Sequence, residues 1–267
     1  MSRNRLDAEL VRRRLASTRS AARHLINEGR VRVGGVVSPK PATMVAAGAS
    51  IDIIGDGARF VSRGGEKLAH ALDEFQIDVG GKRAVDLGAS TGGFTDCLLQ
   101  QGATEVTAVD VGYNQLDYRL RTDSRVVVRE RTNVRTADPA SLGGPFPVIV
   151  ADLSFISLEL VMPAIAALAA DDADIVMLVK PQFEVGKGQV SRGGIVTDPA
   201  LWEQAVHRIV DAAASHGLGA CGLRASPLRG ASAGNVEFLL WVRRGPADMP
   251  ETALEQVLAD LPEGNAP

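Results

Sequence analysis

Apolar positions near the start of the chain fall on one helical stripe: Leu6, Leu10, Val11 and Leu15. A second stripe follows at Ala21, Ala22, Leu25 and Ile26, with Ser17 or Thr18 as its cap and Gly29 as its stop. The period then changes from helical to alternating. Val31-Arg32-Val33 and Val36-Val37 flank Gly34-Gly35, the pattern of a hairpin, and Ile51-Asp52-Ile53-Ile54 adds a strand. These elements predict a small α+β unit over residues 1–58. Gly55-Asp56-Gly57 reads as linker, and 59–63 leads into a larger domain. There a helix is predicted over 66–76, then strands near 83–87, 105–109, 125–128, 147–151 and 174–179 with helical stretches between. Past a glycine-rich loop, a helix runs from Pro199 to Ala214 and strands follow near 219–225 and 236–242. Such alternation argues a doubly wound, Rossmann-like α/β sheet over 64–246. Residues 247–267 form a C-terminal helix and tail, with the amphipathic stretch at Glu251–Leu261.

Ligands of doubly wound sheets sit at the carboxyl ends of the strands, and the chain carries its most distinctive motif there. The strand ending in Val85-Asp86-Leu87 runs into Gly88-Ala89-Ser90-Thr91-Gly92-Gly93-Phe94-Thr95, and a helical pattern starts at Phe94, Leu98 and Leu99. Glycines allow close backbone approach, and a helix N-terminus offers free N–H groups. The next apolar run, Val106-Thr107-Ala108-Val109, ends in Asp110, suited to a ribose diol. The loop lacks the G-x-G-x-x-G spacing of a pyrophosphate site and the Lys-Ser/Thr pair of a P-loop, so the site reads as one for S-adenosylmethionine. The expected pocket comprises Asp86, Gly88, Ala89, Ser90, Gly92, Gly93, Phe94, Asp110, Val111, Asn133, Asp152 and Leu153.

Composition narrows the class. A hydrophobic fraction of 45% and a charged fraction of 23% are ordinary for a globular protein. No apolar run approaches the ~20 residues needed to cross a bilayer, and no apolar signal core follows Met1. A cytoplasmic protein is expected. Cys97 and Cys221 are isolated and the four histidines have no ligand spacing, so no metal is expected. The charge is uneven. Residues 1–45 hold ten basic and three acidic residues, a balance of +7, which leaves −10 on the rest of a chain whose total is −3. A basic module on an acidic body suggests contact with a polyanion.

The order helix, helix, Val31-Arg32-Val33-Gly34-Gly35, strand resembles the small RNA-binding domain named after ribosomal protein S-four. Arg5-Leu6-Asp7, Thr18-Arg19-Ser20-Ala21-Ala22, Ile26, Gly29 and Lys40-Pro41 carry the resemblance. It implies binding to structured RNA through phosphates and shape. In the larger domain, Asp152 ends one apolar strand, Lys180 ends another, and Glu237 lies within the apolar strand Val236–Trp241. Charges so placed are costly unless paired. With Lys67 they resemble the Lys-Asp-Lys-Glu tetrad of the FtsJ-related ribose 2′-O-methyltransferases. Ser62-Arg63-Gly64-Gly65-Glu66-Lys67-Leu68 matches that family's first motif. The fusion of the two parts resembles the TlyA family of haemolysin-like ribosomal RNA 2′-O-methyltransferases, with close matches at 151–157, 179–187 and 234–237. The resemblance implies an enzyme acting on cytidine in small- and large-subunit rRNA, with Lys67, Asp152, Lys180 and Glu237 catalytic; a monomer is expected. Arg5, Arg19, Arg23, Lys40, Arg63 and Lys187 are then expected to contact RNA.

The chemistry is coherent on physical grounds. A ribose hydroxyl is a poor nucleophile, so transfer benefits from a base held in line with the methyl group. A lysine acts as base only with a lowered pKa, a role expected of Lys180 with Lys67 nearby, although either lysine of the set is open to it. The absence of Asn/Asp-Pro-Pro-Tyr/Phe after the fourth strand argues against methylation of a base amino group. Two rival classes are a membrane-active haemolysin and a non-catalytic RNA-binding assembly factor. The missing transmembrane run argues against the first, and the complete tetrad against the second.

Overall fold

The computed structural model describes residues 3–16, 18–27, 29–38, 40–54, 59–191, 193–230 and 234–261, without the side chains of His24 and Lys187. Ser17 and the Gly55-Asp56-Gly57 linker stretch lie outside the described residues. Contacts divide the chain into two units, Met1–Arg59 and Phe60–Pro267.

The first unit runs β1 (Arg3–Arg5), α1 (Leu6–Arg12), α2 (Arg19–Asn27), β2 (Val31–Val33), β3 (Val36–Val37), β4 (Met44–Ala46) and β5 (Ile51–Ile53). Strand β2 pairs antiparallel with both β3 and β5. Gly34 and Gly35 turn the hairpin with φ of +58° and +83°, a conformation that favours glycine at both positions. Thr18 caps α2, its Oγ1 accepting from the Ala21 amide at 3.1 Å. The first helix is shorter than the apolar stripe suggested. Arg14 turns to φ +60°, and Leu15 leaves the core at 36% exposure. Strands β1 and β4 pair antiparallel, a ribbon with no signal in the hydrophobic pattern because each strand is three residues long. Leu6, Leu10, Ala22, Ile26, Val31, Val45 and Ile51 form the core.

The second unit contains α3 (Gly64–Glu74), β6 (Arg83–Leu87), α4 (Gly93–Gln100), β7 (Glu105–Val109), α5 (Tyr118–Arg121), β8 (Val126–Arg129), β9 (Phe146–Ala151), α6 (Met162–Leu168), β10 (Ala169–Val179), α7 (Pro181–Glu184), α8 (Pro199–Ser215), β11 (Leu218–Ala225), β12 (Phe238–Arg244) and α9 (Ala253–Ala259). Its seven strands form one sheet in the order β11-β12-β10-β9-β6-β7-β8. Pairing is parallel from β10 to β8, and β12 runs antiparallel between β10 and β11. Alternation along each strand feeds two apolar layers. Val85 and Leu87 join α6, α8 and α9 on one face, and Ala84 joins α3 and α4 on the other. The C-terminal helix belongs to this core through Leu254 and Val257. Asp198 caps α8 by accepting from the Ala200 amide at 2.9 Å, and Trp202, Ala205, Val206, Ile209 and Ala213 form its buried stripe.

Chain order reverses at β6, which has β7 on one side and β9 on the other. The crevice outside the carboxyl ends of β6 and β9 is the ligand position of such a sheet.

Candidate active site

At that crevice the loops after β6 and β9 touch. The Asp152 amide donates to the Leu87 carbonyl at 3.0 Å. A Cβ placed on Gly88, where φ is +89°, would come 2.5 Å from the Asp152 carbonyl oxygen. Glycine at 88 is therefore required by conformation and by contact alike. Gly92, with φ +96°, and Gly93 are also packed closely on protein. A Cβ on Gly92 would strike Leu120 and Leu116, and one on Gly93 would strike Ser62 and Gly65. Their small size lets α4 pack closely on protein. A bulky residue at Gly92, at that positive φ, would disturb the packing of α4 as well as any ligand. Phe94 likewise turns inward, 3% exposed against Gly64.

Asp86 is completely buried on the α4 side of the sheet. Its Oδ2 accepts from Thr95 Oγ1 at 2.6 Å, but Oδ1 has no hydrogen-bond partner. Burial pushes the carboxyl up to about 7, and the neighbouring Asp152 and Asp110 carboxylates add to the rise. Asp110 bridges two loops, accepting from the Ser90 amide at 2.8 Å and the Gly112 amide at 2.6 Å. A carboxylate has about four acceptor positions, so capacity for a further ligand remains. Ala89, Ser90, Asp110, Gly112, Gln115 and Leu116 line a small pocket beside it. Val111 is 69% exposed, Leu153 lies beside Gly88, and Asn133 folds back to accept from the Arg135 amide.

The four tetrad positions form two ion pairs. Lys67, on α3, meets Glu237, and both are buried. Lys180 Nζ lies 2.6 Å from Asp152 Oδ1 and donates to Ser154 Oγ at 2.9 Å. Register brings the pairs to one end of the sheet. Val179 of β10 is paired with Phe238 of β12, so the chain leaves β10 at Lys180 beside the point where Glu237 enters β12. Glu237 thus precedes its strand, whereas the apolar run Val236–Trp241 predicts it inside. Arg63 Nη2 donates to the Arg229 carbonyl at 3.0 Å, tying the approach to α3 to the segment before Glu237.

Three nearby residues escaped the sequence reading. Ser154 is the second partner of Lys180. Phe155 is 92% exposed with φ +64°, and its ring lies 5.4 Å from that of Phe183. Glu184 is buried beneath the same loop. A serine and an aromatic two and three residues after a strand-end aspartate were the available signals.

The basic residues of the first unit are organised around acids. Asp7 is enclosed by Arg5, Arg19 and Arg23, and Glu9 by Arg12, Arg13 and Asn4. The hydrogen bond from Arg5 and those from Arg19 and Arg23 hold the Asp7 carboxyl well below the usual range, against the cost of burial. Lys40 is exposed. The side chain of Lys187 lies outside the described residues.

The profile of the FtsJ-like methyltransferase family matches residues 60–244, and that of the S4 domain matches residues 4–51. The 16S/23S rRNA (cytidine-2′-O)-methyltransferase TlyA of Mycobacterium tuberculosis is 53% identical over 242 residues, covering 90% of each chain. This chain belongs to the TlyA family. Hemolysin A of Brachyspira hyodysenteriae is 40% identical, covering 88% of this chain and 98% of that protein. A haemolysin-named solved structure from Streptococcus thermophilus superposes with a TM-score of 0.77 at 38% identity, covering 97% of this chain and 95% of that one. The family thus carries both names. Among the described residues, no helix is long and apolar enough to cross a membrane.

Proposed function

We propose that this member of the TlyA family transfers a methyl group from S-adenosylmethionine to the ribose 2′-hydroxyl of cytidine in ribosomal RNA. The observation that carries the proposal is the double pair, Lys67–Glu237 and Lys180–Asp152, at the carboxyl end of the sheet beside the Gly88 loop. A protein that only bound RNA would gain nothing from placing two lysines there. The M. tuberculosis relative's name supplies the reaction and the nucleotide.

The residues fit the cofactor's chemistry. Asp86 Oδ1 is buried without a partner, which an ammonium group would satisfy. Asp110 can accept from a ribose diol, with Ala89 and Ser90 beside it and Val111 and Leu153 as apolar surface. When bound, S-adenosylmethionine supplies an electrophilic sulfonium methyl. Lys180, held by Asp152 and Ser154, first releases the proton of its ion pair to solvent, and its neutral amine then takes the proton from the ribose hydroxyl. Lys67, held by Glu237, orients that hydroxyl. Placement of this kind is worth orders of magnitude in rate, because the reacting groups need no further ordering. Arg5, Arg19, Arg23 and Lys40 of the first unit, with Arg63 and Lys187 of the second, take the RNA phosphates. The protein acts as a monomer, without a metal, in the cytoplasm where ribosomal subunits are found.

The test is nucleoside analysis by mass spectrometry after incubating the protein with S-adenosylmethionine and purified small and large ribosomal subunits. The expected product is 2′-O-methylcytidine. Base-methylated nucleosides alone, or no methylated product, would overturn the proposal.

A further inference from the structure

Beneath the proposed tetrad, one buried carboxylate joins the loops that follow β9 and β10. Glu184, the last residue of α7, is 2% exposed. It accepts hydrogen bonds from Ser157 Oγ and from the Leu158 amide, the latter at 3.0 Å. Its own carbonyl accepts from Arg208 Nη1 at 2.8 Å, while Arg208 Nε donates to Glu159 at 2.6 Å. The two segments are therefore tied along their whole length. Lys180 meets Asp152 and Ser154 at one end, the rings of Phe155 and Phe183 meet in the middle, and Glu184 meets Ser157 and Leu158 at the far end.

These links differ in how firmly they can hold. Phe155 is 92% exposed, so water competes at the ring contact, and the Asp152 side chain is 24% exposed although its Oδ1 facing Lys180 is buried. The Glu184 carboxylate is shielded, and two directional hydrogen bonds fix its partners in position as apolar contact would not. Burying an acid is costly: burial pushes the Glu184 carboxyl upward, and its two hydrogen bonds oppose that rise. An apolar residue would fill the space at lower cost but would leave the Leu158 amide without a partner.

We propose that Glu184 is a positioning residue for methyl transfer, holding the loop that bears Asp152 and Ser154 against the turn that begins at Lys180. The proposal rests on the ribose methyltransferase function above. A displacement of about 1 Å in a catalytic group can cost on the order of a hundredfold in rate. Glu184 touches neither substrate nor cofactor and acts through Lys180.

The test uses the full-length protein in single-turnover methyl transfer to ribosomal subunits, with cofactor affinity by calorimetry and thermal unfolding measured in parallel. Glu184→Ala should lower the maximal rate by about tenfold to a hundredfold, with cofactor affinity and the subunit concentration for half-maximal rate within about twofold of wild type. Glu184→Gln has the same shape, with an amide oxygen for Leu158 and an amide NH₂ for Ser157, and should recover to within about threefold of wild type. Ser157→Ala removes one link and should give a smaller loss, adding little when combined with Glu184→Ala. If Glu184→Ala does not fold, the Ser157→Ala and Glu184→Gln arms carry the test. A wild-type rate in Glu184→Ala or, in its absence, in Ser157→Ala would overturn the proposal. So would a loss that glutamine does not rescue and that falls equally on cofactor affinity and unfolding temperature. A wild-type control that transfers no methyl to ribose would instead overturn the functional reading, before any variant is compared.

Discussion

The two units use the same chemical pieces in opposite proportions. In the first, two buried acids are outnumbered by five arginines, and four of those arginines have side chains 42–57% exposed. In the second, each acid of the tetrad has one lysine, with side-chain exposures of 9% and 4% for Lys67–Glu237 and 10% and 24% for Lys180–Asp152. An outnumbered acid fixes the guanidinium groups and leaves a positive surplus facing water, where it attracts phosphate over a distance set by salt. A balanced, dry pair has no surplus to project. It holds an amine in one place with little water around it, which is a requirement of chemistry and not of capture. The −10 balance outside residues 1–45 sharpens the contrast, because the body that carries the tetrad does not by itself favour RNA.

The largest expected effect breaks the balanced side of that comparison. Removing one partner of a buried pair costs about 3–5 kcal/mol, so Lys67→Ala alone would confuse catalysis with unfolding. The double change Lys67→Met with Glu237→Gln removes both charges at similar volume. It should fold and bind cofactor while losing about a hundredfold or more in turnover, read in a methyl-transfer assay beside a melting curve. The next effect belongs to the surplus side. Arg19→Gln with Arg23→Gln should weaken binding to ribosomal subunits by about tenfold at moderate salt. It should also flatten the slope of log affinity against log salt by about 1.5, with the maximal rate unchanged. A salt titration measures both numbers.

A smaller effect concerns Asp86. Its carboxyl lies at about 7 in the fold against 3.8 for an ordinary aspartate. Between those values the native state keeps a proton that the unfolded chain releases, so stability falls as pH rises from about 4 to about 7. Asp86→Asn removes this loss. It should raise the unfolding temperature at pH 8 by a few degrees, by about the amount expected for a change of 1 kcal/mol or more, and leave it unchanged near pH 4. Cofactor affinity should fall at the same time, because the orphaned oxygen is the proposed partner of an ammonium group. The smallest effect is that of acid on the first unit. The Asp7 carboxyl is held down by Arg5, then by Arg19 and Arg23, so its contribution is complete at neutral pH and is lost only as pH falls below about 4. Amide exchange in α1 should accelerate in that range and not between pH 5 and 8.

How far these features were legible in the sequence follows from their physical range. Long apolar strands bounded by turns, such as those ending in Leu87, Val109 and Ala151, announce themselves locally. Strands β1 and β4 do not, since three residues of mixed polarity carry no period. Strand β10 begins at Ala169, ahead of the apolar run, because Asp171, Asp172 and Asp174 interrupt the pattern. The charged residues of the site were visible as charges at the ends of apolar strands. Their partners were not, because no spacing reveals that a lysine on α3 reaches a glutamate 170 residues away. The same holds for glycine. The positions at 92 and 93 were recognisable as special, but only the fold shows Leu116, Leu120 and Ser62 packed against them. The surplus of the first unit was evident from a count, whereas its organisation around Asp7 and Glu9 required the fold.

The most direct test of the division between the units is a single titration, in which the rate of methyl transfer from labelled S-adenosylmethionine to ribosomal subunits is followed as protein concentration rises. Asp152 keeps 24% of its side chain exposed but its Oδ1 facing Lys180 is buried, so the rate of Lys180→Ala is read beside its melting curve. The maximal rate should then fall by about a hundredfold or more with the half-saturating concentration unmoved, while Arg19→Gln with Arg23→Gln should shift the half-saturating concentration and leave the maximal rate intact. Substantial turnover in Lys180→Ala, or a fall in maximal rate with unaltered half-saturation in the arginine variant, would contradict the assignment of chemistry to the balanced pairs and capture to the surplus.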